Sequence, residues 1–378
     1  MSDRQTIALI GTGQLGGSFA LALQEAGVEV DVVGFDTDVS QAHMLAERGA
    51  LARVAPSVEE AVRGADVVVL ATPLRSYRAI AQTMLPYLAP HAIITDLGST
   101  QGTLDALRGS VLPAERVVPA HPIAGGEGAG AAVARADLFK QRLLILSPRE
   151  DVATAITDAV ASLWHMVGTT VLQMPVEVHD QIYAHVSHLP HYIAFAAAEV
   201  LFQSGIKLDL VDETLTRFLR ISRSNPRMWT DIALENREAL LPVLGTYAVL
   251  LDHFEGELRA GTPDAAADQH AAGQRFYPRI LASALISTVH FFEQQAGLSL
   301  REFGAGGMRD IVAPAAVDPE SELAAMSNAA PAIADLLKQT VPLFKQLEAL
   351  IGAEDEPALF ALLSGWVAHA QQLVSPRQ

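Results

Sequence analysis

The 378-residue chain predicts an α/β domain with a doubly wound, mostly parallel sheet, followed by an all-α helical region that carries signs of duplication. Three observations predict this. A glycine pattern, G-x-G-x-x-G, sits between an apolar strand and a helix. Strand and helix patterns then alternate to about residue 174. Beyond that point only helical periodicity recurs.

The first unit is "TIALIGTGQLGGSFALALQEAG", starting at Thr6. Gly11 permits the tight turn and Gly13 the approach of a pyrophosphate, and Gly16 lets the helix pack closely on the strand. Gln14 and Leu15 lie between them, where the helix N-terminus offers free N–H groups to phosphates. A second strand, "VDVVGFD", ends in Asp36, twenty residues after Gly16, where a Rossmann-type fold reads a ribose 2′-hydroxyl. A carboxylate there accepts from a hydroxyl and repels a 2′-phosphate, which favours NAD over NADP. Strands follow at "ADVVVLATP" (65–73), "HAIITDLGST" (91–100), "RVVPAHPIAGGEGAG" (116–130), "RLLILSP" (142–148) and "TTVLQM" (169–174), with a helix across 151–166. Ligands of such sheets lie at the carboxyl ends of the strands, which places Thr72, Pro73, Ser99 and His121 in one crevice. Pro122 holds His121 in extended geometry, and a histidine titrating near neutrality suits proton removal from an alcohol.

Charge and composition narrow the function. With 43 acidic against 26 basic residues and a formal charge of −17, neither nucleic acid nor an anionic membrane surface is an expected partner. The chain has no cysteine, which removes disulfides and thiolate chemistry. No apolar run reaches membrane-spanning length and no signal peptide is visible, so a cytoplasmic protein is expected. Four of the twelve histidines, His179, His185, His188 and His191, fall within "HDQIYAHVSHLPH". One helix cannot aim all four at one point, so no metal site is expected; His188 reads as structural and His185 as solvated. Pro190 is expected to disturb this helix.

The motifs "GTGQLGGS", "DLGST", "HPIAGGE", "HD" with "SHLPH", and "RISRSNPRMWTDIALEN" occur in this order between residue 6 and about residue 260. Together they resemble the prephenate dehydrogenase family, which includes arogenate dehydrogenases. The resemblance implies NAD-dependent oxidative decarboxylation of prephenate to 4-hydroxyphenylpyruvate, on the route to tyrosine. It implies that His121 accepts the ring-hydroxyl proton, that Ser99 assists near the nicotinamide, and that Glu127 stands at the site entrance. His179 and His191 are implied to line the substrate site, Arg220 to hold a substrate carboxylate, and Trp229 to lie nearby. An arginine fork suits a carboxylate because it binds both oxygens.

Two departures stand out. Gln101 replaces a family lysine, and "TLTRF" replaces "GFRD" before Arg220, which leaves Arg217 or Arg223 to act in its stead. The missing pattern recurs in "FGAGGMRDIVAPAAVDP" (303–319), with Ala313 where the arginine would stand. "QSGIKL" (203–208) parallels "QAGLSL" (295–300), "SNP" parallels "VDP", Asn236 parallels Asn328, and "SHLPH" parallels "RILAS" (279–283). The expected organisation is therefore a nucleotide-binding domain over 1–172 and a helical substrate and dimerisation domain over 173–262. A further helical region over 263–378 is expected as a degenerate repeat, giving a homodimer or an intrachain pseudo-dimer. The segment 257–274 is the expected link. Rival readings are arogenate dehydrogenase, a non-catalytic dinucleotide-binding sensor, and a hydroxyacid dehydrogenase, for which Lys207 is a poor catalytic lysine.

Overall fold

The structure, a computed structural model, describes residues 4–125, 128–205, 213–260, 269–301, 303–304, 306–316 and 319–374. The chain divides into two compact units, Met1–Asp180 and Gln181–Gln378.

The first unit is built on a six-stranded sheet of β1 (Gln5–Ile10), β2 (Val30–Phe35), β3 (Arg53–Val54), β4 (Val67–Leu70), β5 (Ile93–Asp96) and β6 (Val117–Val118), in the order β3-β2-β1-β4-β5-β6. Every pairing is parallel, with Ile7 beside Val32 on one side and Val67 on the other. A parallel sheet is covered on both faces, and β4 accordingly reads VVVL with every residue buried. Helices α1 (Gln14–Glu25), α2 (Val39–Glu47), α3 (Val58–Val62), α4 (Tyr77–Met84) and the short α5 (Gly102–Asp105) provide the crossovers. The strand order reverses between β1 and β4, the switch point where such sheets bind ligands.

The sheet differs from expectation in one respect. The stretch 116–130 is not one strand: β6 ends the parallel sheet at Val118, and β7 (Ala120–Pro122) begins a second sheet after Pro119. Proline has no N–H to donate to a ladder, so the chain changes partners there. β7 pairs antiparallel with β8 (Leu143–Leu146), which pairs parallel with β9 (Thr170–Gln173) across helix α6 (Thr154–Met166). The two-residue β3 is too short to carry a periodic signal in the sequence.

Helix α7 (Val176–Tyr183) contains the division between the units. It passes through one π-helical turn, Ala184–His188, into α8 (Leu189–Gln203). The wider turn falls just before Pro190, which cannot donate to the helical ladder. There follow α9 (Glu213–Arg220), α10 (Pro226–Glu235), α11 (Arg237–Arg259), α12 (His270–Ala296), α13 (Gly306–Val312), α14 (Pro319–Gly352) and α15 (Glu356–Val374). Residues 261–268 of the expected link lie outside the described residues, as does Lys207. Among the described residues no helix is long and apolar enough to cross a membrane.

Candidate active site

The glycine turn closes as the spacing predicts. Gly11 has φ +98, and a Cβ there would lie 2.5 Å from the Ala71 carbonyl oxygen. A Cβ on Gly16 would lie 2.1 Å from the Gly11 carbonyl oxygen, so the helix can approach the strand only without one. Gly13 is different: a Cβ there would meet nothing within 4 Å. It is the N-cap of α1 and supplies no side-chain cap, so open space lies at the helix end where pyrophosphate would bind. Asp36 accepts from the Thr12 N–H at 2.7 Å and the Thr12 hydroxyl at 3.1 Å, and from the Asp38 N–H at 3.0 Å. Its carboxylate therefore stands at the mouth of the turn. Arg48 donates to the carbonyls of Ala131 and Ala134, and Arg53 to that of Glu60. At the end of β4, the Thr72 hydroxyl shares a hydrogen bond with Ser76 at 2.8 Å, and Ser76 donates to the Pro73 carbonyl.

A histidine pair lies at the end of β7. His121 Nδ1 is 2.9 Å from His179 Nε2, and His179 Nδ1 is 2.7 Å from Asp180 Oδ1. A carboxylate accepts only, so His179 Nδ1 carries the proton and its Nε2 accepts from His121 Nδ1–H. His121 Nε2 then holds the lone pair that a general base needs. His179 is fully buried and meets His121 through its Nε2.

Two carboxylates hold the surrounding loops. Asp180 also accepts from the backbone N–H groups of Gln101 and Gly102, both at 2.9 Å, at the N-terminus of α5. A Cβ on Gly102 would come within 2.9 Å of Asp180 Oδ2, so a larger residue there would have to displace the carboxylate. Gln101 itself is buried and donates from Nε2 to the Ile145 carbonyl at 2.9 Å, so its side chain braces β8. Asp96 accepts from the Gly98 N–H at 3.1 Å and the Ala120 N–H at 2.9 Å. It thereby fastens the loop carrying Ser99 to the strand carrying His121. Burial pushes the Asp96 carboxyl up to about 7, against the two N–H groups that favour its charge. Ser99 is half-buried on this loop.

The second unit gathers a separate cluster. The His191 ring stacks on Trp229 with centroids 3.8 Å apart, and its Nδ1 donates to the Ser187 carbonyl at 2.8 Å. Desolvation, aided by the Arg220 charge, lowers the His191 pKa to about 4, so the ring is neutral with Nε2 as acceptor. Trp229 is held in place by the Tyr192 hydroxyl, which donates to its carbonyl at 2.7 Å. Arg220 donates to Asp310 Oδ2 from Nε at 3.0 Å and from Nη2 at 2.5 Å. His188 is buried and accepts from Asn236 Nδ2 at 2.9 Å, a structural role. His185 is not solvated: it is buried, stacks on Phe292 at 4.1 Å and donates to the Gln181 carbonyl. The π turn shifts the helical phase, so spacing alone misplaces it.

Glu127 lies outside the described residues. Among the described residues no three potential metal ligands are gathered together. Asp180, Asp96 and Asp310 are residues to which sequence reasoning assigns no role in the site. Their signals are present in "HD", "DLGST" and "GMRD", stretches singled out for other residues or for their spacing.

An uncapped helix end at the switch point and a base-competent histidine at a strand end are what hydride transfer to a dinucleotide requires. They place the chain among the dinucleotide-dependent dehydrogenases. Residues 19–173 match the nucleotide-binding domain of prephenate dehydrogenase and residues 175–267 its dimerization domain. Cyclohexadienyl dehydrogenase of Zymomonas mobilis is 33% identical over 67% of this chain and 86% of its own. Prephenate dehydrogenase of Bacillus subtilis is 29% identical over 63% of this chain and 66% of its own. The structure of prephenate dehydrogenase from Aquifex aeolicus, solved with hydroxyphenyl propionate and NAD+, aligns with TM-score 0.62 and 27% identity. That alignment covers 78% of this chain and 98% of the other. The chain belongs to the prephenate dehydrogenase family.

Proposed function

We propose that the protein oxidatively decarboxylates prephenate to 4-hydroxyphenylpyruvate with NAD as the electron acceptor, within tyrosine biosynthesis in the cytoplasm. The observation that carries this reading is the hydrogen-bonded order Asp180–His179–His121, which leaves His121 Nε2 as acceptor. Bound NAD supplies the hydride acceptor. His121 takes the ring-hydroxyl proton as the carbinol hydrogen leaves with its electron pair. The ring carboxylate departs as CO2, its bonding electrons complete the aromatic ring as a phenolate, and that oxygen takes the proton back from His121. Asp180 and His179 act as positioning residues that keep His121 in its base tautomer. Ser99 assists at the hydroxyl, and Glu127 guards the entrance. In the second unit, Arg220 binds a substrate carboxylate through its planar fork, with His191 and Trp229 beside it.

The choice of NAD over NADP rests on Asp36 at the turn and on the commitment of Arg48 and Arg53 to backbone carbonyls. A second reading, arogenate dehydrogenase, is favoured by one observation: Asp310 places a carboxylate beside Arg220, where an ammonium group would find a partner. The test is the initial rate of nicotinamide reduction with prephenate and with arogenate, each with NAD and with NADP. Turnover with prephenate and NAD supports the proposal. Turnover with arogenate alone transfers the assignment to the second reading.

A further inference from the structure

We propose that α12, α13 and α14 form a degenerate second copy of the helical dimerization fold, seated on the first copy as a partner subunit would be. The functional unit is then a single chain with one substrate site, to which the second copy contributes Asp310. The proposal rests on the family assignment for the dimerization role, but not on which cyclohexadienyl substrate is used.

The order of elements repeats. In the first copy α8 ends in a turn where Gly205 has φ +66; in the second α12 ends in a turn where Gly297 has φ +65. A short helix follows in each, α9 and α13, and runs directly into a 3-10 turn, Ile221–Arg223 or Ala313–Ala316. A proline then opens a long helix in each: Pro226 starts α10, which Asn236 joins to α11 ending at Arg259, and Pro319 starts the 34-residue α14. The match to the dimerization domain stops at residue 267, before the second copy begins.

The packing repeats as well. In a two-fold interface an element meets its own counterpart on the axis, and every off-axis contact occurs twice with the roles exchanged. Here α11 packs along α14, α9 against α13 and α8 against α12, each an element on its counterpart. The off-axis contacts are doubled: α11 with α12 and α8 with α14, then α8 with α13 and α9 with α12. An appended tail has no reason to reproduce both members of each pair. Polar contacts close the seam, with Tyr247 donating to the Leu281 carbonyl at 3.1 Å and Arg259 to Asp335 at 3.0 Å.

The copies have diverged in chemistry. Ala313 stands at the counterpart of Arg220 and Ser283 at that of His191, so the second copy has no carboxylate anchor of its own. It retains Asp310, which engages the Nε–Nη2 edge of Arg220 in the first copy and sets the plane of the guanidinium. Asp310 is thus a positioning residue supplied across the pseudo-two-fold axis.

Sedimentation equilibrium of the full chain over a hundredfold range of concentration tests the assembly without any substrate. The mass of one chain throughout is expected, and a stable mass of two chains overturns the proposal. Calorimetric titration with 3-(4-hydroxyphenyl)propionate in the presence of NAD tests the contributed residue. Asp310→Ala is expected to weaken binding about tenfold, and Asp310→Asn, which still accepts from Arg220, to recover most of the loss. Equal affinity in wild type and Asp310→Ala overturns the role of Asp310. Neither measurement needs turnover, so the pseudo-dimer stands or falls separately from the substrate assignment.

Discussion

Replacement of Asp180 should separate its structural role from its control of His121. Its Oδ1 accepts from Gln101 N and His179 Nδ1, and its Oδ2 from Gly102 N. Alanine removes all three contacts and leaves two N–H groups at the start of α5 without their acceptor. Each such loss costs about 1–3 kcal/mol when buried, so Asp180→Ala should lose roughly 2–6 kcal/mol of stability. Asparagine can place its single oxygen at the Oδ1 position and keep both Gln101 and His179. Only the Gly102 contact and the charge are lost, at roughly 1–2 kcal/mol. The kinetics should differ as well. In Asp180→Ala nothing fixes the His179 proton, His121 loses its preferred tautomer, and kcat should fall about 100-fold or more, the range of general-base catalysis. In Asp180→Asn the tautomer persists and kcat should stay within about tenfold of wild type. Thermal unfolding and initial rates, measured below the lower Tm, provide both readouts. Equal kcat in the two variants, despite a large difference in Tm, would refute control of the tautomer and reduce Asp180 to a loop anchor.

The glycine turn gives a similar contrast. Gly16→Ala forces a Cβ onto the Gly11 carbonyl at 2.1 Å and should lower both Tm and NAD affinity. Gly13→Ala meets no protein atom and should fold normally, yet weaken NAD binding at least tenfold in a fluorescence titration. Asp96 predicts a pH effect. Its folded pKa, raised to about 7, exceeds the unfolded value, so the folded state holds the extra proton between about pH 4 and 7. Stability should therefore fall as pH rises through that window, by up to roughly 4 kcal/mol, and Tm against pH should be flatter in Asp96→Asn. His191 acts with the opposite sign. Its pKa is lowered to about 4, so the unfolded state binds the extra proton and stability is lost as pH falls below about 6.5. His191→Gln should reduce that acid-side loss of Tm.

The first unit is legible in the sequence because its signals are local. The glycine turn, the buried parallel strands and the acidic end of β2 each follow from steric or periodic rules acting over a few residues. The change of sheet at Pro119 is less legible, since two short strands joined by a proline read as one apolar run. The relay behind His121 is only half visible. Asp180 follows His179 in sequence, but its bonds to Gln101 and Gly102 span almost eighty residues, and no periodicity encodes them. His185 is misplaced by spacing because a π turn alters the helical phase without a distinctive residue type. Asp310 lies within a recognisable motif, yet its pairing with Arg220 depends on how α9 and α13 pack, ninety residues apart.

The central claim is that His121 is the base of a cyclohexadienyl dehydrogenase. It is tested most directly by measuring nicotinamide reduction with prephenate for wild type and His121→Asn side by side, with NAD binding measured in the same samples. Wild type should turn over, and the variant should bind NAD equally well yet lose at least 100-fold in kcat, a loss of about the size general-base catalysis supplies. A variant within about threefold of wild type, or a wild type silent towards both prephenate and arogenate, would contradict that claim.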